Sequence, residues 1–199
     1  MTLSILIPTI EERETSFNEL VEELGKQINE NGYSREIEIV SKSDSKEISI
    51  GKKRQQLLEV AKGDYVCQID DDDFPYDCYI KEIMNALKQS PDCVGFLVHV
   101  TQNGGNPQTA CYSLKYKKWE QKRDGFFYVR NVNVWNPVRR ELALKVGFKD
   151  LRVLEDKDYA DRLTPLCKTE VFIDKKLIHY RYSDQTPPIE KYGYDKDKK

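Results

Sequence analysis

The stretch Gly63-Asp64-Tyr65-Val66-Cys67-Gln68-Ile69-Asp70-Asp71-Asp72-Asp73-Phe74 decides how the rest of this chain is read. Tyr65, Val66, Cys67 and Ile69 form a short apolar run of the kind found in buried strands, and the run ends abruptly in four carboxylates. Four adjacent negative charges repel one another, so a fold that holds them close needs a counter-charge. In an extended segment alternate side chains share a face, which would set Asp70 and Asp72 on one side and Asp71 and Asp73 on the other. Carboxylates converging at the carboxyl end of a strand make a hard-oxygen site suited to Mg²⁺ or Mn²⁺. That edge is also where open α/β sheets bind their ligands. The plainer alternative is a solvated acidic loop.

Working outward, the segments before and after this strand alternate in type. Leu3 to Ile7 reads as a buried strand stopped at Pro8, and a helix follows with Phe17, Leu20, Val21, Leu24 and Ile28 at helical spacing. Ser16 with Glu19 matches a capping box at its start, and Asn31-Gly32 ends it. Glu36 to Val40 alternates as a strand, and a second helix opens at Gly51-Lys52-Lys53-Arg54. A third carries Tyr79, Ile80, Ile83, Met84 and Leu87 up to Ser90-Pro91, and Cys93 to Val100 is again a strand. This alternation predicts an α/β fold with a mostly parallel central sheet flanked by helices. Beyond Val100 the pattern loosens. Asn103 to Pro107 forms a turn, Thr109–Tyr116 and Phe126–Trp135 read as strands, 138–146 and 156–163 as helices, and short strands follow near Val171 and Ile178.

The 199 residues suffice for one domain with a full core. They divide into a nucleotide-binding half (1–100), an acceptor and catalytic half (101–183) and a polar tail (184–199). With 39% hydrophobic and 33% charged residues the chain reads as globular. A net charge of −2 gives no global basic field for nucleic acid. No apolar run is long enough to span a bilayer. Five scattered cysteines without a C-x-x-C pair point to reduced thiols and a cytoplasmic setting.

Four blocks, taken in order, resemble the family 2 glycosyltransferases of the GT-A fold, over roughly Leu3 to Ser183. They are Ser4-Ile5-Leu6-Ile7-Pro8-Thr9; Gly51-Lys52-Lys53-Arg54-Gln55 with Ala61-Lys62-Gly63-Asp64-Tyr65; Ile69 to Asp73; and Val146-Gly147-Phe148-Lys149-Asp150 with Leu154 to Leu163. The resemblance implies an inverting, metal-dependent enzyme that moves a sugar from a nucleotide diphosphate, with UDP-sugar the expected donor, to an acceptor hydroxyl. It places Pro8, Thr9, Glu11 and Arg13 near the nucleotide, Arg54 ahead of the acidic strand, and Asp70 and Asp71 in the D-x-D segment. Asp72 would be the direct ligand of Mn²⁺ or Mg²⁺, His179 a further metal ligand, and Asp156 the general base. Where the family often has a uracil-reading aspartate directly after the second strand, this chain has Ser41-Lys42-Ser43, which leaves Asp44 for that part. The Q-x-x-R-W motif of processive members is absent.

Each site has a plainer reading. Arg54 could be a surface arginine, although a helix start disfavours a cation. Lys52 and Lys53 read as solvated charges, and His99, in an apolar strand, as a core histidine. His179 is either ligand or structural. Phe126 to Trp135 reads mainly as core, with Trp135 able to stack on a sugar. Acidic residues favour a first helical turn, so Glu155 rivals Asp156, and the helix dipole should lower the pKa of either. Two other functions compete. A nucleotidyltransferase should carry a Gly-rich loop after the first strand, and here that loop is Thr9-Ile10-Glu11-Glu12-Arg13. A nucleotide-binding protein without transfer activity would keep the fold and lose the acids.

Overall fold

The computed structural model describes residues 2–182, so the expected tail at 184–199 lies outside the described residues. The central strand is β1 (Leu3–Pro8), buried along its whole length. It pairs in parallel with β2 (Ile37–Lys42) on one side and β3 (Tyr65–Gln68) on the other. Helix α1 (Glu14–Glu30) connects β1 to β2, and α2 (Ile50–Val60) connects β2 to β3. These two crossovers travel in opposite directions across the sheet, so the right-handed rule sends their helices to opposite faces. On one side α1 meets α3 (Tyr79–Leu87). On the other, α2 meets α4 (Arg140–Val146) and α5 (Glu155–Leu163).

The sheet continues through β9 (Val138–Arg139), a two-residue strand antiparallel to both β3 and β5 (Cys93–Gln102). Since β9 opposes each of them, β3 and β5 run the same way. The expected helix from Val138 therefore begins only at Arg140. Strands β6 (Gly105–Tyr112), β8 (Phe126–Arg130) and β7 (Glu120–Arg123) complete one edge. The long β10 (Glu170–Tyr182) lies parallel to β5 and also pairs with β4 (Phe74–Pro75). The two short strands expected near Val171 and Ile178 are thus one, interrupted by register shifts between Ile173 and Ile178.

Other boundaries move for local reasons. Helix α1 grows directly out of a 3₁₀ turn at Glu11–Arg13, and no side chain caps it, so Ser16 and Glu19 lie inside the helix and form no capping box. Asn103 and Gly104 both take positive φ, the geometry of a tight hairpin turn, which starts β6 at Gly105 rather than at Thr109. Strand β8 stops at Arg130 because the following asparagines bind backbone instead: Asn133 N–H donates to Asn136 Oδ1 at 3.0 Å and Trp135 N–H to Asn133 Oδ1 at 3.1 Å. All five cysteines are free thiols. No helix among the described residues is long and apolar enough to cross a membrane.

One contact ties the two halves of the chain together. Gly51, in the first turn of α2, donates its N–H to Leu151 O at 3.0 Å. A Cβ at this position would lie 2.0 Å from Lys149 O and 2.9 Å from Leu151 N, both backbone atoms. The glycine is therefore required by close approach. Gly51→Ala is expected to destabilise the protein by about 1–3 kcal/mol, the usual cost of overpacking, as read by denaturant unfolding. An unchanged midpoint would mean that the 149–151 loop yields freely.

Candidate active site

The carboxyl ends of β1 and β3 open onto a cleft of about 500 Å³ whose lining includes Pro8, Thr9, Arg13, Arg54 and all four aspartates. The acidic segment does not stay extended. It folds into a turn in which Asp73 N–H donates to Asp70 O at 3.0 Å. The expected pairing by twos nevertheless survives in their exposure, since Asp71 and Asp73 are buried while Asp70 is half-buried and Asp72 exposed.

Each charge meets its answer differently. Arg54, 3% exposed, donates from Nη2 to both oxygens of Asp70 at 2.8 and 3.1 Å, from Nη1 to Gln68 Oε1 at 3.1 Å, and from Nε to Glu155 Oε1 at 3.1 Å. Burial alone would lower its pKa, but the charges of Asp70, Glu155 and Asp156 outweigh that and hold it above the ordinary value. Arg13 reaches Asp71 at 2.8 Å and Asp72 at 3.0 Å, and Thr9 Oγ1 donates to Asp71 at 2.7 Å. Asp73 is the exception. Its Oδ2 is buried with no hydrogen-bond partner, and burial together with Asp70 and Asp72 raises its pKa well above the carboxylate range, with the nearby Trp135 N–H acting the other way. Asp72 is raised too, by burial and then by Asp70.

Lys53 departs from its expected solvated state. It is 3% exposed, donates to Thr9 O at 2.5 Å and pairs with Asp44. Burial pushes the Asp44 carboxyl up, but Lys53 and the Ile48 N–H, which donates at 3.1 Å, hold it below its ordinary pKa. Asp44 thus anchors the loop after β2. Glu11 accepts from Ser45 Oγ at 2.5 Å and lines a separate groove beside α1.

A second cleft, about 600 Å³ and rich in aromatic side chains, contains Asp156. It shares Ile50, Asp70, Arg152 and Tyr180 with the first, so the two clefts meet there. Helix α5 enters through Leu154 at φ 59°, a left-handed conformation rare for a leucine and found where function constrains backbone. Glu155 is buried against Arg54, whereas Asp156 is half-buried and accepts from Lys157 N–H at 2.7 Å. The lowering expected from the helix dipole is outweighed: burial, then the Glu155 charge, push Asp156 up to about 6, against Arg54 and the Lys157 N–H.

The structure does not gather His179 with the acids. It is absent from the lining of both clefts, its Nε2 bonds Thr101 Oγ1 at 2.9 Å, and its ring stacks on His99 at 4.4 Å. His99 in turn bonds Tyr76 through Nδ1 at 2.6 Å. The chain's neighbours of His179 reach the clefts instead: Tyr180 and Arg181, the latter with its guanidinium carbon 3.7 Å from the Phe74 ring centroid. Arg152, Tyr180 and Arg181 were not singled out from the sequence, and Lys53 was read there as a solvated charge. Only Lys53 carried a signal, its place beside Arg54 in the glycine-led helix start.

Among the described residues no group of three or more His, Cys, Asp and Glu converges as a ready metal site. Two carboxylates at a cleft mouth still fit Mg²⁺ or Mn²⁺, because such ions are commonly held by one or two carboxylates plus substrate phosphates and water. Asp72 stands exposed on this cleft, and a buried oxygen of Asp73 has no hydrogen-bond partner among the described residues.

No family model matches the chain, and no curated protein matches it. Solved structures do. Staphylococcus aureus TarS 1-349 in complex with UDP-GlcNAc aligns with a TM-score of 0.65 at 16% identity, over 91% of this chain and 58% of that one. The same protein in complex with UDP gives 0.65 at 17%, over 92% and 61%. The catalytic domain of Drosophila β1,4-galactosyltransferase 7, in complex with xylobiose, gives 0.53 at 16%, over 94% and 67%. This chain therefore spans about 60% of the length of the TarS fragment. The likeness establishes the fold, which is the GT-A fold implied by the four sequence blocks.

The geometry generates a stability test. Removing Arg54 leaves Asp70 and the buried Glu155 without their counter-charge, and breaking such a pair costs about 3–5 kcal/mol. Arg54→Met should lose that much in denaturant unfolding. A loss below about 1 kcal/mol would show that the two carboxylates find other partners or water.

Proposed function

We propose that this protein transfers a glycosyl group from a nucleotide diphosphate sugar, UDP-sugar being the expected donor, to an acceptor hydroxyl with inversion, using Asp156 as general base. The observation that carries this reading is the junction of the two clefts: an arginine- and aspartate-lined donor cleft meets, at Asp70, an aromatic one that Asp156 lines. The nucleotide would lie by the β1 end, near Pro8, Thr9 and Arg13, with Arg54 fixing the acidic turn. The TarS complexes with UDP and UDP-GlcNAc support a nucleotide-sugar donor by analogy of fold.

Asp70 and Asp72, aided by Asp73, would hold the divalent cation. When bound, the metal neutralises charge developing on the departing diphosphate. The chain's own residues do the rest. Arg152 and Arg181, both on the donor cleft and in no ion pair among the described residues, bring positive charge to it. Asp156 accepts the proton of the incoming hydroxyl as the anomeric bond breaks through an oxocarbenium-like state. Both carboxylates line the acceptor cleft, but Glu155 is paired with Arg54, which leaves Asp156 as the one without an ion pair among the described residues. The nucleotide-binding half is then 1–100 and the acceptor half 101–183, within one domain.

Calorimetric titration of UDP tests the donor and metal together. Binding should be markedly tighter with Mn²⁺ or Mg²⁺ than after chelation. Equal affinity in both conditions removes the metal from the reading, and tighter binding of another nucleoside diphosphate removes uridine.

The base is tested separately. A general base works ionised, and the Asp156 carboxyl is held up to about 6, so transfer should rise as pH climbs through about 6 and level off above 7. Asp156→Asn should lower turnover by about 10²–10⁴ while UDP affinity persists. Transfer within a few-fold of the unaltered protein, or UDP binding lost along with it, would assign Asp156 another part.

A further inference from the structure

The aromatic cleft contains a cation that no carboxylate answers. Arg130 ends β8 with its guanidinium carbon 4.3 Å from the Trp119 ring centroid and 4.1 Å from that of Tyr128. Its Nη1 donates to the adjoining Val129 carbonyl at 3.1 Å, and among the described residues it forms no ion pair. Other cations of the same region are neutralised: Arg123 by Glu120 at 2.5 Å and Lys115 by Asp124 at 2.6 Å. Of the three acids that line the cleft, Asp70 and Glu155 are held by Arg54, and Asp156 accepts from the Lys157 N–H and forms no ion pair with Arg130. A second guanidinium on the cleft wall, Arg152, donates to the carbonyls of Lys46 and Glu47 at 3.4 and 3.3 Å and forms no ion pair among the described residues.

Two rings fix the plane of Arg130 and leave its remaining N–H groups for a ligand oxygen. A planar fork of this kind is suited to two-point recognition of phosphate or carboxylate. The rest of the wall mixes aromatic faces with the amides of Gln102 and Gln121. Rings that cover apolar sugar faces, beside amides that meet hydroxyls, are saccharide-binding chemistry. The two features differ from a donor site, because the nucleotide's charge is met in the other cleft.

We propose that the acceptor is an anionic saccharide whose phosphate or carboxylate group is received by Arg130, while its sugar ring lies along the aromatic wall that leads to Asp156. This rests on the glycosyl-transfer reading above, and it narrows the acceptor to one chemical class.

Three matched probes test it by NMR titration of the full chain: methyl glucoside, its 6-phosphate, and the corresponding glucuronide. At low salt at least one anionic probe should bind about tenfold tighter than the neutral one, with the preference shrinking as ionic strength rises. Which anion wins distinguishes a phosphorylated acceptor from a uronic acid. In the unaltered protein the Arg130 side-chain ¹⁵N resonance should move with the preferred anion and stay put with methyl glucoside. Arg130→Gln should abolish the preference, and Arg130→Lys, which keeps the charge but loses the stacked fork, should retain only a part of it. Equal binding of all three probes, an unmoved Arg130 resonance, or a preference undiminished in Arg130→Gln overturns the proposal. UDP binding, measured apart from the probes, separates the two readings. Its absence with the anion preference intact fells the donor assignment alone, and its presence without the preference fells this one.

Discussion

A single buried guanidinium organises the functional end of this molecule. Arg54 reaches the end of β3 through Gln68, the acidic turn through Asp70 and the start of α5 through Glu155. Three segments distant in sequence are thereby held at one point, with directional bonds rather than non-specific contact. Burying a charge is costly unless it is paired and hydrogen-bonded, and a guanidinium with four such contacts to two carboxylates and an amide satisfies that condition. A lysine could supply the charge but not the fork that spans Asp70 and Glu155 at once.

That constraint explains how four consecutive aspartates are tolerated. Arg54 and Arg13 account for Asp70, Asp71 and part of Asp72, and the turn buries Asp71 and Asp73 while Asp70 and Asp72 stay accessible. Within the turn, Asp73 keeps a buried oxygen with no hydrogen-bond partner among the described residues, and burial raises its proton affinity. Lys53 plays the matching structural part on the other side of β1, fixing Thr9 and the loop at Asp44.

The parallel core was legible because its strands are short apolar runs bounded by glycine, proline or acid, and its helices carry apolar residues at helical spacing. The acidic cluster was legible for the same reason: charge placed directly after a buried run is hard to explain otherwise. What escaped the sequence depends on tertiary pairing. Val138 and Arg139 have no local reason to be a strand, and they become one because β3 and β5 both offer an unpaired edge. Lys53 looks like any helical lysine until the loop after β2 folds over it. His179 sits in the right stretch of chain, yet Tyr180 and Arg181 reach the clefts while His179 stays on Thr101 and His99.

The position of Asp156 follows from the same economy of charge. A carboxylate in the first turn of a helix should be more acidic than usual, and sequence alone supports that expectation. Here the neighbouring Glu155 takes the nearest cation, so Asp156 is left half-buried beside a negative charge, and burial with that charge overrides the dipole. The outcome is a carboxylate whose proton affinity is raised toward neutrality without leaving it protonated at pH 7. For proton abstraction this is an improvement over an ordinary aspartate, since a base works best when its pKa approaches the operating pH. Arg54 is therefore coupled to Asp156 in two ways: it draws Glu155 aside, and its own charge keeps the pKa of Asp156 from rising further.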